Sequence, residues 1–94
     1  MEDNIVELFK RVSEEEDLMQ KFRYVEILIT RIKLEHGLEI PFSKCYGGDI
    51  SAALKYYIDG KYEECIYELR KVKLDIMKEI TRSQNQTRKI RSNT

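Results

Sequence analysis

Apolar side chains recur every three or four positions along most of the chain, which is the spacing of amphipathic α-helices. A first short helix is predicted from Ile5 to Val12, and a second over residues 14–36. The second helix carries an apolar seam with the spacing of helix bundles, formed by Leu18, Phe22, Val25, Ile29 and Ile32. More apolar residues lie beside this seam, at Met19, Tyr24, Ile27, Leu28 and Leu34. We therefore expect the second helix to pack on more than one neighbour.

Helix boundaries are predicted from capping residues and helix breakers. Ser13 and Glu16 match a capping box, which predicts that the second helix begins there. Gly37, with Pro41 soon after it, predicts its end. The loop that follows, residues 37–49, is unusually apolar, with Leu38, Ile40, Phe42 and Tyr46. We expect this loop to be pinned over an edge of the core.

Two more helices follow the loop. Asp49 is the expected N-cap of a helix over residues 50–59, which Gly60 ends, and a last helix is predicted from Tyr62 to Arg82. Alternation typical of a β-strand is missing. The sequence thus predicts an all-α fold, a small four-helix up-down bundle with two long helices and a short helical hairpin, and we expect it to be dimeric. Residues 1–82 are the expected domain, and residues 83–94 a flexible, polar, basic tail.

The segment from Leu54 to Ile66 is the most family-like stretch of the sequence. An aromatic-containing helix is followed by Gly60, Tyr62 and the small residue Cys65, and in this order the segment resembles the turn of a tetratricopeptide-type hairpin. The resemblance implies that Gly60 ends its helix in a left-handed conformation and that Tyr62 packs back over the turn. Wider repeats are missing, so a generic helical hairpin stays the alternative.

Composition narrows the classes of function. The chain has 17 basic and 17 acidic residues, and this zero net charge argues against a dedicated nucleic-acid coat or a polybasic membrane binder. No apolar run is long enough to span a membrane, and the acidic start of the chain is unlike a secretory signal. We therefore expect a cytoplasmic protein. Cys45 and Cys65 are too few for a disulfide framework, although a single bridge stays open.

One pair of residues has catalytic spacing. Arg31 and His36 are five positions apart, and the segment resembles the Arg-x4-His motif of HEPN ribonucleases, small all-helical dimers in which the Arg and His of two protomers meet to cleave RNA. Ile32 stands where that family favours a polar residue, and His36 ends its helix against Gly37. The alternative is structural, because Arg31 has Glu35 as an i, i+4 partner and His36 suits a helix C-terminus.

Other candidate sites are weaker. His36, Cys45 and Cys65 lack the close pairs of a structural zinc site, so we expect neither a metal nor a cofactor. Gly47-Gly48-Asp49 before a helix is similar to an anion-binding turn, but Asp49 would repel phosphate, so capping is the preferred interpretation. Basic residues near the C-terminus are candidates for weak nucleic-acid contact: Arg82, Arg88, Lys89 and Arg91.

Together these patterns favour a non-catalytic interaction or regulatory module. We expect it to act as a homodimer or as an adaptor for another protein, because the second helix has more apolar surface than one short neighbour can cover. The first alternative is a HEPN-like dimer that cleaves RNA with Arg31 and His36. The second is a regulator that binds nucleic acid through the basic tail.

Overall fold

All regular structure in the described part of the chain is helical. The computed structural model describes the backbone of residues 4–92 and the side chains of residues 4–84. Its helices are α1 (Ile5–Glu14), α2 (Leu18–His36), α3 (Ile50–Ile58) and α4 (Tyr62–Ser92). The prediction of an all-α fold with four helices is confirmed.

The turn between α1 and α2 differs from the sequence prediction. Asp17 caps α2, since its Oδ1 accepts a hydrogen bond from the Gln20 backbone N–H at 3.1 Å. Ser13 lies inside α1, where its hydroxyl donates to the Phe9 carbonyl at 3.2 Å. The predicted capping box of Ser13 and Glu16 is therefore wrong. Asp17 is as good a cap as Ser13 and directly precedes the apolar run, and Ser13 bonds instead to the preceding turn of its own helix.

The turn between α3 and α4 forms as the sequence predicts. Asp49 caps α3 by accepting from the Ser51 N–H at 3.1 Å. At the other end Gly60 has φ +78°, the left-handed conformation that glycine adopts at least cost. The Lys61 N–H then donates to the Tyr56 carbonyl at 2.8 Å and the Gly60 N–H to the Tyr57 carbonyl at 3.1 Å. This pair of bonds satisfies carbonyls that the end of α3 would otherwise leave open.

Contacts between helices form a closed ring. Helix α1 contacts α2 and α3, and α4 contacts α2 and α3, so α2 and α3 occupy opposite corners. The loop of residues 37–49 is long because it crosses between these corners. The side chains inside the ring are Ile5, Leu8, Phe9, Val12, Val25, Leu28, Ile29, Ile32, Ile40, Ala53, Cys65, Ile66, Leu69, Val72 and Ile76.

The seam predicted along α2 lies in the core of its own chain. Val25, Ile29 and Ile32 are buried, and Leu18 and Phe22 are half-buried against the same cluster. Helices α1 and α4 cover this face of α2. The seam is therefore filled by neighbouring helices of the same chain, and a partner protein would have to bind elsewhere.

The loop of residues 37–49 is fastened to α4 by carboxylates. Asp75 accepts hydrogen bonds from the Gly47 and Gly48 N–H groups, each at 2.9 Å, and Glu68 accepts from the Asp49 N–H at 3.0 Å. Gly48 lies so close to α4 that a Cβ atom there would stand 2.7 Å from the Glu68 carbonyl oxygen and collide with the Val72 backbone nitrogen. The N–H groups that an anion would use are thus already bound to the protein's own carboxylates.

The side chains of this loop divide between core and surface. Ile40 is buried and Leu38 is half-buried, as expected of a loop pinned over the core. Phe42 and Tyr46 are exposed instead. The expectation of a pinned apolar loop therefore holds for Leu38 and Ile40, whose side chains pack on the core. It fails for Phe42 and Tyr46, whose rings are exposed although the backbone beside them is fastened to α4.

Helix α4 extends to Ser92, ten positions past the predicted end at Arg82. The extension contains neither Gly nor Pro and is rich in Gln, Arg and Lys, which are good helix formers. The predicted flexible tail of residues 83–94 is thus helical in backbone as far as Ser92. Its side chains from residue 85 onward lie outside the described residues. Within the described part of the chain, no helix is long and apolar enough to cross a membrane.

Candidate functional site

A line of exposed apolar side chains runs along the solvent side of α2. Met19 is 53 % exposed, Ile27 43 % and Leu34 77 %. They are separated by eight and seven residues, close to two helical turns each, so they share one face and span about 22 Å at 1.5 Å per residue. We call Met19, Ile27 and Leu34 the outer stripe of α2. It lies opposite the buried seam and is the apolar surface of α2 that the chain's own helices leave uncovered.

Other exposed apolar side chains are dispersed over different elements. They are Val6, Phe42, Tyr46, Ile58, Tyr67 and Met77. Tyr67 and Met77 both belong to α4, ten residues and about 80° apart around the helix, so α4 presents a pair of such side chains where α2 presents three. The outer stripe is therefore distinguished by three exposed apolar side chains on a single helix, the largest such set among the described residues. Single exposed apolar side chains are ordinary, whereas an aligned set indicates a contact surface.

Charge is distributed unevenly along α2 and the turn before it. Residues 14–20 contain four acids and no base, whereas residues 30–36 contain two bases and one acid in addition to His36. An antiparallel neighbour of the same sequence would place the acidic end of each helix beside the basic end of the other. A parallel neighbour would bring the two acidic ends together, which costs free energy through like-charge repulsion.

The C-terminal end of α2 carries an aromatic cluster that includes His36, one of the two residues of the catalytic alternative. The His36 ring stacks on Tyr62 with a centroid distance of 3.6 Å and an interplanar angle of 12°. Tyr57 stands edge-on to both rings, at 6.5 Å from His36 and 5.5 Å from Tyr62. His36 Nε2 lies 4.0 Å from the Glu35 carboxylate. Tyr62 thus packs on the end of α2 as well as over its own turn.

Arg31 and His36 both lie near Tyr57. The pKa of the Tyr57 hydroxyl is raised above its ordinary value, first by burial and then by the Glu35 carboxylate, whereas Arg31 acts in the opposite direction. The C-terminal end of α2, with Arg31, Glu35 and His36, therefore lies close to Tyr57 of the α3–α4 hairpin. In this arrangement one face of the imidazole is covered by Tyr62, as in a packing contact.

The two cysteines occupy different surroundings and form no bridge to one another. Cys65 is fully buried beneath the α3–α4 turn, where burial raises the pKa of its thiol to about 12. Cys45 is exposed, with its Sγ 3.3 Å from the Ser43 hydroxyl. Among the described residues, no group of three or more His, Cys, Asp or Glu side chains is arranged to hold a metal ion.

The basic residues predicted for nucleic-acid contact are only partly described. Arg82 is exposed on α4, and its Nη1 lies 3.1 Å from the Glu79 carboxylate, so its charge is locally balanced. The side chains of Arg88, Lys89 and Arg91 lie outside the described residues. In comparisons with known proteins, no family model, curated protein or solved structure matches this chain.

Proposed function

We propose that this chain is a non-catalytic interaction module that forms a homodimer through the outer stripe of α2. The observation that carries the proposal is the alignment of Met19, Ile27 and Leu34 on one exposed face. Removing such side chains from water contributes about 25 cal/mol per Å² of apolar surface. Because the buried seam is satisfied within the chain, the outer stripe is the part of α2 left for a partner.

The two copies pair with their α2 helices antiparallel. Ile27 lies midway between Met19 and Leu34, so a two-fold axis near Ile27 sets Met19 of one copy against Leu34 of the other. The same arrangement brings the acidic turn before Leu18 toward the Lys33 end of the other helix. Antiparallel helix dipoles add to this preference, since opposite partial charges then lie side by side.

We also propose an up-down alternation of helix directions within each copy, and a cytoplasmic location. Support for the alternation comes from the three-residue turns 15–17 and 59–61, each of which joins two helices in contact, because short connections favour antiparallel neighbours. For the location, support comes from the cysteine content, since two cysteines are too few for the disulfide framework of a small secreted domain.

Disulfide cross-linking tests both association and orientation. The test uses two variants, each with Cys45→Ser to remove the exposed thiol, one with Met19→Cys and the other with Leu34→Cys. Mixed and oxidised together, they should form mainly the mixed dimer that joins position 19 to position 34. Parallel pairing would instead give the two same-site dimers. If no cross-linked dimer forms, the outer stripe is not the interface.

RNA cleavage by Arg31 and His36 stays a prediction of the sequence resemblance, and the non-catalytic role is preferred because His36 is engaged with Tyr62. We expect no metal-independent cleavage of a single-stranded RNA above background. Cleavage that is lost in both Arg31→Ala and His36→Ala, with an unchanged helical circular dichroism spectrum, would overturn the non-catalytic proposal. Tyr46→Ala, which changes an exposed ring away from this cluster, is the matched control.

A further inference from the structure

A second surface lies between α2 and α4, beside the outer stripe but separate from it. It is a groove of about 270 Å³ lined by Glu26, Ile29, Thr30, Lys33, Phe42, Arg70, Lys73 and Leu74. This groove contains one carboxylate and three basic side chains, although the chain as a whole is neutral. We call it the α2–α4 groove.

The groove combines an aliphatic floor with a basic rim. Ile29 is buried and Leu74 is half-buried, so the floor of the groove is apolar but only partly accessible to a ligand. Lys73 is held across the groove, with its Nζ 3.6 Å from the Glu26 carboxylate and 5.5 Å from the centre of the Phe22 ring. Since Glu26 is the single acid in the lining, Lys33 and Arg70 leave the rim with an excess of positive charge.

Phe42 lies at the edge of this groove and lines one side of it with an exposed aromatic ring. Arg70 Nη1 donates a hydrogen bond to the Pro41 carbonyl at 2.7 Å, which fastens the loop to α4 next to Phe42. The Phe42 ring is nevertheless 74 % exposed. Phe42 thus offers an aromatic contact beside the apolar floor, and aromatic residues are enriched at the centres of protein interfaces.

We propose that the α2–α4 groove binds an acidic peptide segment of a partner protein. An apolar side chain of the segment lies on the floor of Ile29 and Leu74 against Phe42, and flanking carboxylates pair with Lys33 and Arg70. Arg70 retains guanidinium N–H groups besides the one bonded to Pro41, and arginine is well suited to bind carboxylates. Basic charge around an apolar floor selects such a segment over a basic or neutral one.

The lining favours a peptide over single-stranded nucleic acid. Strand-binding grooves stack successive bases on several aromatic rings, whereas this groove has one ring, Phe42, beside aliphatic floor residues. Thr30 is the single uncharged polar side chain in the lining, so base edges would find few partners. Nucleic acid is therefore an outcome that the test below can detect and that would overturn the proposal.

The test measures binding of a short fluorescein-labelled peptide, with Phe and Leu one helical turn apart among Asp and Glu residues, to the full chain by fluorescence anisotropy. We expect saturable binding that weakens as salt is raised. A peptide with Lys in place of each acid should bind at least about tenfold more weakly, because it meets a rim of like charge. A single-stranded thymidine oligonucleotide of similar length should not compete.

Point variants test whether the peptide binds in the α2–α4 groove. Phe42→Ala and Lys33→Gln should each weaken peptide binding by about threefold to thirtyfold, the range of moderate interface truncations. Lys61→Gln removes an exposed lysine elsewhere and should bind as the parent does. The proposal is overturned if the acidic peptide does not bind, if both groove variants bind it like the parent, or if the oligonucleotide displaces it. Ile27→Gln, which removes the apolar centre of the outer stripe without adding charge beside Glu26 and Thr30, should keep peptide binding, so failure of one proposal is distinguishable from failure of the other.

Discussion

Helix α2 carries large apolar side chains on two faces, and these faces meet different surroundings. The inner face, with Val25, Leu28 and Ile32, is fully covered by the chain's own helices, whereas the outer stripe of Met19, Ile27 and Leu34 is open. Residue type does not distinguish the faces, since both carry branched aliphatic residues. What distinguishes them is the set of neighbours that the rest of the chain supplies. The inner face therefore contributes to folding, and we assign the outer face to association.

The largest expected effect comes from truncating the inner face. Ile32→Ala should lower the free energy of unfolding by about 2–5 kcal/mol, because it leaves a cavity among α1, α2 and α4. Leu34→Ala, two positions further along the same helix, should change it by less than about 0.5 kcal/mol under conditions where the chain is monomeric. Urea unfolding followed by circular dichroism measures both. Equal losses for the two variants would contradict the division into inner and outer faces.

A second prediction concerns the close packing of the loop of residues 37–49 against α4. Gly48→Ala should lower the free energy of unfolding by about 1–3 kcal/mol, the usual cost of forcing extra atoms into a packed site, since the added Cβ meets the backbone of α4. Lys44→Ala changes an exposed position in the same loop and is the matched control, with little expected effect. Thermal unfolding of the two variants gives the comparison. A Gly48→Ala protein as stable as the parent would mean that the loop does not lie against α4.

At neutral pH the smallest effect is expected from the two thiols, which repeat the contrast of buried and exposed positions and influence stability only at alkaline pH. The folded state holds the pKa of Cys65 at about 12, against an ordinary value of 9.0. Below pH 9 the thiol is neutral in both states, and above it the unfolded chain ionises first, so stability falls as pH rises from 9 toward 12, by at most about 1.4 kcal/mol per pH unit. Cys65→Ala should lack this part of the pH dependence.

Reactivity of the thiols checks the same prediction independently. In the folded protein a thiol reagent should modify the exposed Cys45 quickly and Cys65 only at the rate of unfolding. Equal modification rates at neutral pH would show that the α3–α4 turn does not protect Cys65. Cys45→Ser provides the control in which only the buried thiol remains.

Helix boundaries that are set by a capping residue or a glycine at the boundary itself were predicted correctly from the sequence. Asp49 caps α3 and Gly60 ends it because each acts on its own neighbours within a few residues. The start of α2 was mispredicted because Ser13 and Asp17 are both acceptable caps, and only the fold decides that Ser13 stays inside α1. The end of α4 was placed too early because polar composition was interpreted as a stop, although no breaker residue stands there.

Features that join distant parts of the chain were not predictable from local patterns. Asp75 holds the N–H groups of Gly47 and Gly48 across 28 and 27 residues of sequence, and Arg70 reaches Pro41 across 29. Such pairings depend on which helices become neighbours. The abundance of apolar residues on α2 was visible in the sequence, but which of them the chain would cover depended on the closed ring of four helices.

The central claim, that the outer stripe is an association surface, is tested most directly by the mass of the protein in solution. Sedimentation equilibrium of the parent chain at micromolar concentration should give the mass of a dimer, and Ile27→Glu should give the mass of a monomer with an unchanged circular dichroism spectrum. Met77→Glu places the same charge at a similarly exposed position on α4 and should stay dimeric. A monomeric parent, or an Ile27→Glu variant that remains a dimer, would contradict the account.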